Sequence, residues 1–303
     1  MLRANRLYSA AAILAAMLFL CRTAAAADQV QMTKLATTDI SITSAKVSWI
    51  TDKLTIDNRV EVRQKGSDSI AVFRDEYLAE TYVHLVTLIN LKVDTEYEYR
   101  VKSGDTTWDN NGSWYSFRTF PFNVSYVLPQ AVYGRLLDRL EQPIWRSLVR
   151  LYLARDGESS VPITVINNAI GPEGTWMVND ITSSFNPDTR TYFDPQPGDL
   201  LIIEYLPNFW TNDIDSTFVG IGTQSVGVKT IDVFDPNMGV RGDLNGDGTI
   251  NIFDLLDMLK VLGGSLVPSS DPRLSYAADV DGNGRHDIFD LLALLRLLGG
   301  ATT

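Results

Sequence analysis

The feature that most constrains this chain is a duplicated acidic loop. Residues 243–254 read DLNGDGTINIFD and residues 279–290 read DVDGNGRHDIFD, each running into a leucine-rich segment. Oxygen-bearing side chains recur at loop positions 1, 3, 5, 9 and 12: Asp243, Asn245, Asp247, Asn251 and Asp254 in the first loop, and Asp279, Asp281, Asn283, Asp287 and Asp290 in the second. Glycine at position 6, Gly248 or Gly284, permits the sharp turn that aims the next main-chain carbonyl inward, adding Thr249 and Arg285 as ligands. A hard dication that takes roughly six to eight oxygens fits this spacing, so the pattern predicts two structural Ca2+ ions. The competing reading is a pair of Asx turns with Asp254 or Asp290 as helix caps. It explains one loop but not two with the same oxygens at the same positions. Carboxylates crowd in this way only when a cation neutralises them, so removing the ion is expected to unfold the segment.

Position 12 is Asp in both loops rather than a bidentate Glu, and a linker rather than a helix precedes the first loop. A loop followed by one helix, repeated once, resembles the type I dockerin domain over residues 241 to 300. That resemblance implies docking to a cohesin-like protein module. It places partner contacts at positions 10 and 11, here Ile252, Phe253, Ile288 and Phe289, with Lys260 and Arg296 on the helices that follow. Position 8 is Ile250 in the first loop but His286 in the second, which predicts a weaker strand-like bridge between the loops. In IFDLLDMLKVL the polar residues are Asp254, Asp257 and Lys260, and in IFDLLALLRLL they are Asp290 and Arg296, a narrow polar stripe on an otherwise apolar helix. A module of this size cannot bury two such helices all round. The remaining apolar face is left for a cohesin-like partner or for an intramolecular β-sandwich. The near-identity of the helices implies, as in the dockerin family, that either can present the same surface. Arg241, Gly242 and Asp243 also spell an adhesion tripeptide, but Asp243 is assigned to the ion.

The rest of the chain reads as β-structure. From Asp28 to Pro121 apolar residues alternate with polar ones: Val47 and Trp49, then Val60 and Val62 before Gly66, then Tyr97, Tyr99 and Val101 between Glu98, Arg100 and Lys102. This predicts a sheet with one face in a core and the other charged. Trp49 on the second strand, then Leu91, Thr95 and Tyr97, resemble a fibronectin type III domain, in which the tryptophan packs in the core and the tyrosine makes a corner bond. Val93 stands where that family usually has proline. The same pattern is similar to the β-sandwich preceding the catalytic domain of purple acid phosphatases, whose metal core is rich in His, Asp and Asn. A chain with two histidines does not supply that core. Residues 122–236 continue the alternation. The layout of Gly134, Gln142, Pro143, Val149, Gly174 and Trp176 resembles the carboxypeptidase-regulatory-like, transthyretin-type sandwiches. Trp145, Trp176, Trp210, Tyr192 and Tyr205 are candidates either for a sugar-stacking platform or for its core. A linker containing Pro236 and Gly239 leads into the calcium loops. The expected fold is mainly β: two consecutive β-sandwich domains, 28–121 and 122–236, then a small all-α calcium-binding domain, 237–303.

Residues 1–27 carry Arg3 and Arg6, an apolar run from Ala10 to Leu20 and a string of alanines, the layout of a secretory signal peptide. The run is shorter than the roughly 20 residues that span a bilayer. Cys21, the single cysteine, falls inside this segment, and the bulky Leu18, Phe19 and Leu20 before it argue against a lipoprotein signal. The mature chain is expected to be extracellular and free of disulfides, with no membrane span. A net charge of −11 argues against nucleic acid as a partner, because phosphates are met by Lys and Arg. His84 reads as an outward or satisfied strand residue, and His286 lies within a loop. No nucleophile–base pair or phosphate-cradling loop is evident, so no catalytic residues are assigned. Two readings follow. In the first, the protein is a non-catalytic secreted modular component with a calcium-stabilised docking unit. In the second, it is a carbohydrate-active protein whose middle domain binds or degrades polysaccharide.

Overall fold

The computed structural model describes the chain except residues 1–28, 124–126, 139, 140, 142, 145, 168–173, 232, 234–238, 269–271, 283, 284 and 300–303. The segment expected to be a signal peptide and most of the linker before the loops therefore lie outside the described residues, as do Gln142, Trp145, Asn283 and Gly284.

Strands β1 (Met32–Thr38), β2 (Ala45–Thr55) and β5 (Thr81–Leu88) form one antiparallel sheet. The facing sheet is β4 (Ala71–Arg74), β3 (Arg59–Gln64), β6 (Glu96–Ser103) and β7 (Thr106–Trp108), with β8 (Tyr115–Arg118) also on β6. The core between them holds Val47, Trp49, Val60, Val62, Val86, Tyr97, Tyr99 and Val101. Trp49 is fully buried on the second strand and its indole N–H donates to Ser103 Oγ at 2.9 Å. The Tyr97 hydroxyl accepts the Lys92 N–H at 2.7 Å, the corner bond expected of that tyrosine.

On β3 and β6 the alternation works as read. The outward residues cross-pair, Arg63 with Glu98 and Arg100 with Glu61, so this face is polar. Sheet β1–β2–β5 departs from the reading, because both its faces are covered. Ser48, Ile50 and Val83, which alternation directs to solvent, are buried at 0–1 % exposure. Strands β10 (Leu148–Arg155), β12 (Ile163–Ile166) and β14 (Leu200–Leu206) of the second sandwich pack against them, with Leu148 and Leu206 joining Ile50 and Val83 in one cluster.

In the second sandwich, β10 pairs with β12, β14 and β11 (Glu158–Ser159), and β15 (Asp213–Phe218) extends the sheet from β14. Opposite lie β13 (Thr175–Val178), β9 (Val132–Leu137) and β16 (Gln224–Thr230), with β16 parallel to β9. The two runs flanking Glu141 and Pro143 are β9 and β10. They do not pair as a hairpin but cross to opposite sheets. Gly134 on β9 is required there, since a Cβ would meet the Trp176 ring at 2.9 Å and Val226 at 2.8 Å.

The two sandwiches thus stack as four layers, tied by polar groups the interface has desolvated. Arg150 reaches the Lys34 carbonyl and Ser48 Oγ, both at 3.2 Å, while pairing with Glu204 at 2.9 Å. The Asp39 N–H donates to the Pro162 carbonyl, and Asp39 in turn accepts the Thr164 N–H. Phe120 stacks on Phe185 at 4.3 Å. Arg146 Nη2 lies 3.0 and 2.9 Å from the two oxygens of Asp75, Nε donates to the Val83 carbonyl, and the guanidinium sits 3.9 Å over the Tyr77 ring.

His84 is neither outward nor fully satisfied. It points into the core beside Trp49, with ring centroids 5.0 Å apart, and its exposure is zero. Nε2 contacts the hydroxyls of Thr51 and Thr55, whereas Nδ1 has no hydrogen-bond partner and lies 3.8 Å from Asp75 Oδ2. Burial pulls its pKa down, Asp75 works in the opposite direction, and Arg146 adds to the lowering. The sequence reading missed this because register puts His84 opposite Trp49 on the inner face.

The C-terminal part is helical: α1 (Ile252–Leu262), α2 (Pro272–Ala278) and α3 (Ile288–Leu298). Its core is Leu244, Met258, Leu274, Ala277, Val280 and Leu294 with their neighbours. Among the described residues no helix is long and apolar enough to cross a membrane.

Candidate metal centre and docking helices

Each acidic loop enters its helix by the same device. Asn251 caps α1 and Asp287 caps α3, each side chain accepting the N–H two residues on, at 2.8 Å. Asp254 and Asp290 occupy the third helical position and complete a capping box, so the cap is position 9 and not position 12. Asp254 accepts the N–H groups of Asn245 at 3.2 Å and Asn251 at 2.8 Å. Asp290 accepts those of Asp281 at 3.1 Å and Asp287 at 2.7 Å. Both carboxylates are fully buried. A fixed carboxylate at position 12 therefore ties positions 3 and 9 together in each repeat.

In the first loop the Asp243 carboxylate, 3 % exposed, accepts the N–H groups of Gly246, Asp247 and Gly248 at 2.8 to 3.1 Å. Gly248 supplies the left-handed turn at φ +85°, as its position demands. Asp247 accepts the Thr249 amide at 2.8 Å and hydroxyl at 2.6 Å, which with Asn245 and Asn251 hold it below the usual carboxylate range. The Asn251 amide reaches the Thr249 carbonyl at 3.3 Å. Thr249, Asn245 and Asp247 are exposed.

The second loop gathers its acids more tightly. Ligand oxygens of Asp279, Asp281 and Asp290 all lie within 4.8 Å of one another. Burial pushes the Asp290 carboxyl up, its two N–H donors oppose the shift, and the charges of Asp281 and Asp279 push it further up. Three carboxylates so placed repel one another unless a cation lies among them, and the donor set is hard oxygen throughout, so the residues fit Ca2+. Arg285 is exposed and Asp287 half-buried. His286 does not bridge to Ile250. It turns to α2, with Nε2 2.9 Å from the Ser275 carbonyl oxygen.

The helix faces differ from the sequence reading. Asp254 and Asp290 point inward, so they do not form an outer polar stripe. What faces solvent on α1 is Ile252, Phe253, Leu256 and Leu259, and on α3 Ile288, Phe289, Leu292 and Leu295, all 44–62 % exposed. The four leucines were missed, although their spacing of four and seven from Ile252 and Ile288 marks one helical face. Met258 and Leu294, fully buried, occupy the opposite side. Lys260 pairs with Asp257 at 2.6 Å, and both it and Arg296 are exposed beside the stripes. The sandwiches leave both stripes uncovered.

The aromatic platform does not form from Trp176 and Tyr205, which are 1–2 % exposed and pack edge to face at 6.2 Å. Tyr192 stacks on Phe185, and Trp210 meets Phe209 edge to face. A cleft of about 280 Å³ between the sandwiches is lined by Ser41, Ser44, Lys46, Thr87 and Phe185. Its one acid, Asp39, pairs with Lys46 at 2.9 Å.

Paired loop–helix repeats with a buried position-12 carboxylate and outward apolar stripes define a small two-repeat module that follows the β-sandwiches. Residues 241–299 match the dockerin type I domain, and residues 30–119 match the purple acid phosphatase N-terminal domain. Type I dockerins bind calcium and dock to cohesin modules, and neither matched domain is a catalytic one. Among solved structures, the FN1–FN3 domains of chicken CNTN1 are 13 % identical at a TM-score of 0.23, covering 66 % of this chain and 67 % of that one. A two-domain fibronectin type III segment of chicken tenascin is 11 % identical at 0.23, covering 62 % and 98 %. The Bacillus anthracis TIE protein is 5 % identical at 0.22, covering 67 % and 40 %. A comparison with curated proteins finds no match.

Proposed function

We propose that this protein is a secreted, non-catalytic modular component that docks to a cohesin-like partner. Residues 1–27 serve as its signal peptide, 28–121 and 122–236 as β-sandwich spacers, the latter of the carboxypeptidase-regulatory-like type, and 237–303 as the docking unit. Two Ca2+ ions, when bound, supply the charge that lets each set of acids converge. Asp243, Asn245, Asp247, Asn251, Asp254 and the Thr249 carbonyl hold one. Asp279, Asp281, Asn283, Asp287, Asp290 and the Arg285 carbonyl hold the other. The chain's own part is to keep each position-12 carboxylate buried and bonded to positions 3 and 9, which aligns the helix that follows.

The observation that supports this reading best is the pair of exposed stripes. They repeat at an offset of 36 residues, Ile252 with Ile288, Phe253 with Phe289, Leu256 with Leu292 and Leu259 with Leu295. Two equal faces on one small module allow docking through either. The test is titration with a panel of cohesin modules in calcium. Phe253→Ala or Phe289→Ala alone should weaken binding less than about threefold, because the other face remains. The double substitution should weaken it by roughly 30-fold or more, the size of a lost aromatic anchor. Binding by the double variant at wild-type strength would refute docking through these stripes.

A further inference from the structure

The two repeats are not electrically equal. At the 36-residue offset Asn245 corresponds to Asp281, Asp247 to Asn283 and Asn251 to Asp287. The first loop therefore brings three carboxylates, Asp243, Asp247 and Asp254, and the second brings four, Asp279, Asp281, Asp287 and Asp290. Arg241, just ahead of the first loop, corresponds to Ala277 ahead of the second.

Arg241 does not serve its own loop. Its guanidinium lies 4.9 Å from the centroid of the Tyr276 ring on α2, and Nη2 is 3.8 Å from Asp279 Oδ2, the first ligand of the other loop. The backbone follows the same path, since the Gly242 N–H donates to the Ala277 carbonyl at 2.8 Å. A cation from the first repeat is thus delivered to the loop with the surplus carboxylate. Ala277 offers no charge in return to Asp243, which is fixed instead by three backbone N–H groups.

The geometry points to Arg241 as a positioning residue for the second calcium loop, one that couples the filling of the two loops. This rests on the calcium reading above. Four carboxylates around one dication leave excess negative charge, and a guanidinium on the outer side of Asp279 offsets part of it and fixes that side chain's orientation. Its backbone is ordered by the first loop, so ordering the first loop preorganises the second. By linkage the help is mutual.

The test is calorimetric titration of calcium into the intact, chelator-stripped chain at low ionic strength. Wild type should bind two ions with positive coupling. Arg241→Gln should weaken one of the two by about tenfold, the lower end of what losing such an outer partner costs, and abolish the coupling. Arg241→Lys keeps the charge and should fall between. In an Asp281→Asn background, where the second loop has the charge of the first, the Arg241→Gln penalty should shrink to roughly threefold or less. Equal helical circular dichroism at saturating calcium shows that the variants fold alike. Affinities unchanged in Arg241→Gln overturn the inference, and tighter binding does so too, because Arg241 then competes with the ion. A wild-type chain that takes up no calcium fails the underlying reading instead, a result the titration separates from the other two.

Discussion

Replacing Arg146 with Met tests whether the two sandwiches behave as one unit. The substitution keeps an apolar stem and removes the guanidinium that lies over Tyr77 and beside Asp75. That carboxylate has 4 % of its side chain exposed and retains only the N–H groups of Tyr77 at 3.0 Å and Leu85 at 3.3 Å besides the His84 ring. Burial alone would raise the Asp75 pKa, but His84, the Tyr77 amide and Arg146 together hold it below the ordinary value. Stripping one partner from a buried pair costs about 3–5 kcal/mol. Neutralising Asp75 at pH 7 from an ordinary carboxylate pKa of about 3.9 costs about 4 kcal/mol, which caps the loss. The expected destabilisation is therefore about 3–4 kcal/mol, a fall in Tm of roughly 6–16 °C for a unit of this size. Scanning calorimetry of the whole chain in saturating calcium should show one sandwich transition in wild type and the same transition lowered in Arg146→Met. The double variant Asp75→Asn, Arg146→Met removes both charges of this pair and should regain at least half of the loss. A single variant within about 1 kcal/mol of wild type, or a double variant no better than the single, would refute the reasoning.

Two more outcomes are expected. Because burial lowers the His84 pKa, the unfolded chain takes up that proton first, so sandwich stability is full above pH ~6.5 and falls on acidification by up to about 1.4 kcal/mol per pH unit until folded His84 titrates. His84→Asn should flatten that slope in melts between pH 5 and 7.5, and an unaltered slope would contradict it. Asp75, also lowered, adds its loss only below about pH 4. Chelation should remove helical circular dichroism, with recovery on adding calcium, while leaving the sandwich transition in place. Helicity that survives the chelator would refute the structural role of the ion.

The sequence by itself determined the local elements, because these depend on short spacing. Alternation at Tyr97, Tyr99 and Val101 set the β6 faces, and the loop spacing set where α1 and α3 begin. Even the exposure of Phe253 and Phe289 was legible, since a small module has too little core to hide them. Tertiary structure decided what long-range packing controls. It turned Ser48, Ile50 and Val83 from an expected solvent face into an interface, because a second sheet covers them. It put His84 inside, took Trp176 and Tyr205 into a core, and carried Arg241 across to Asp279. No periodicity encodes such contacts, since each joins segments whose proximity exists only once the sheets have stacked and the two repeats have closed on each other.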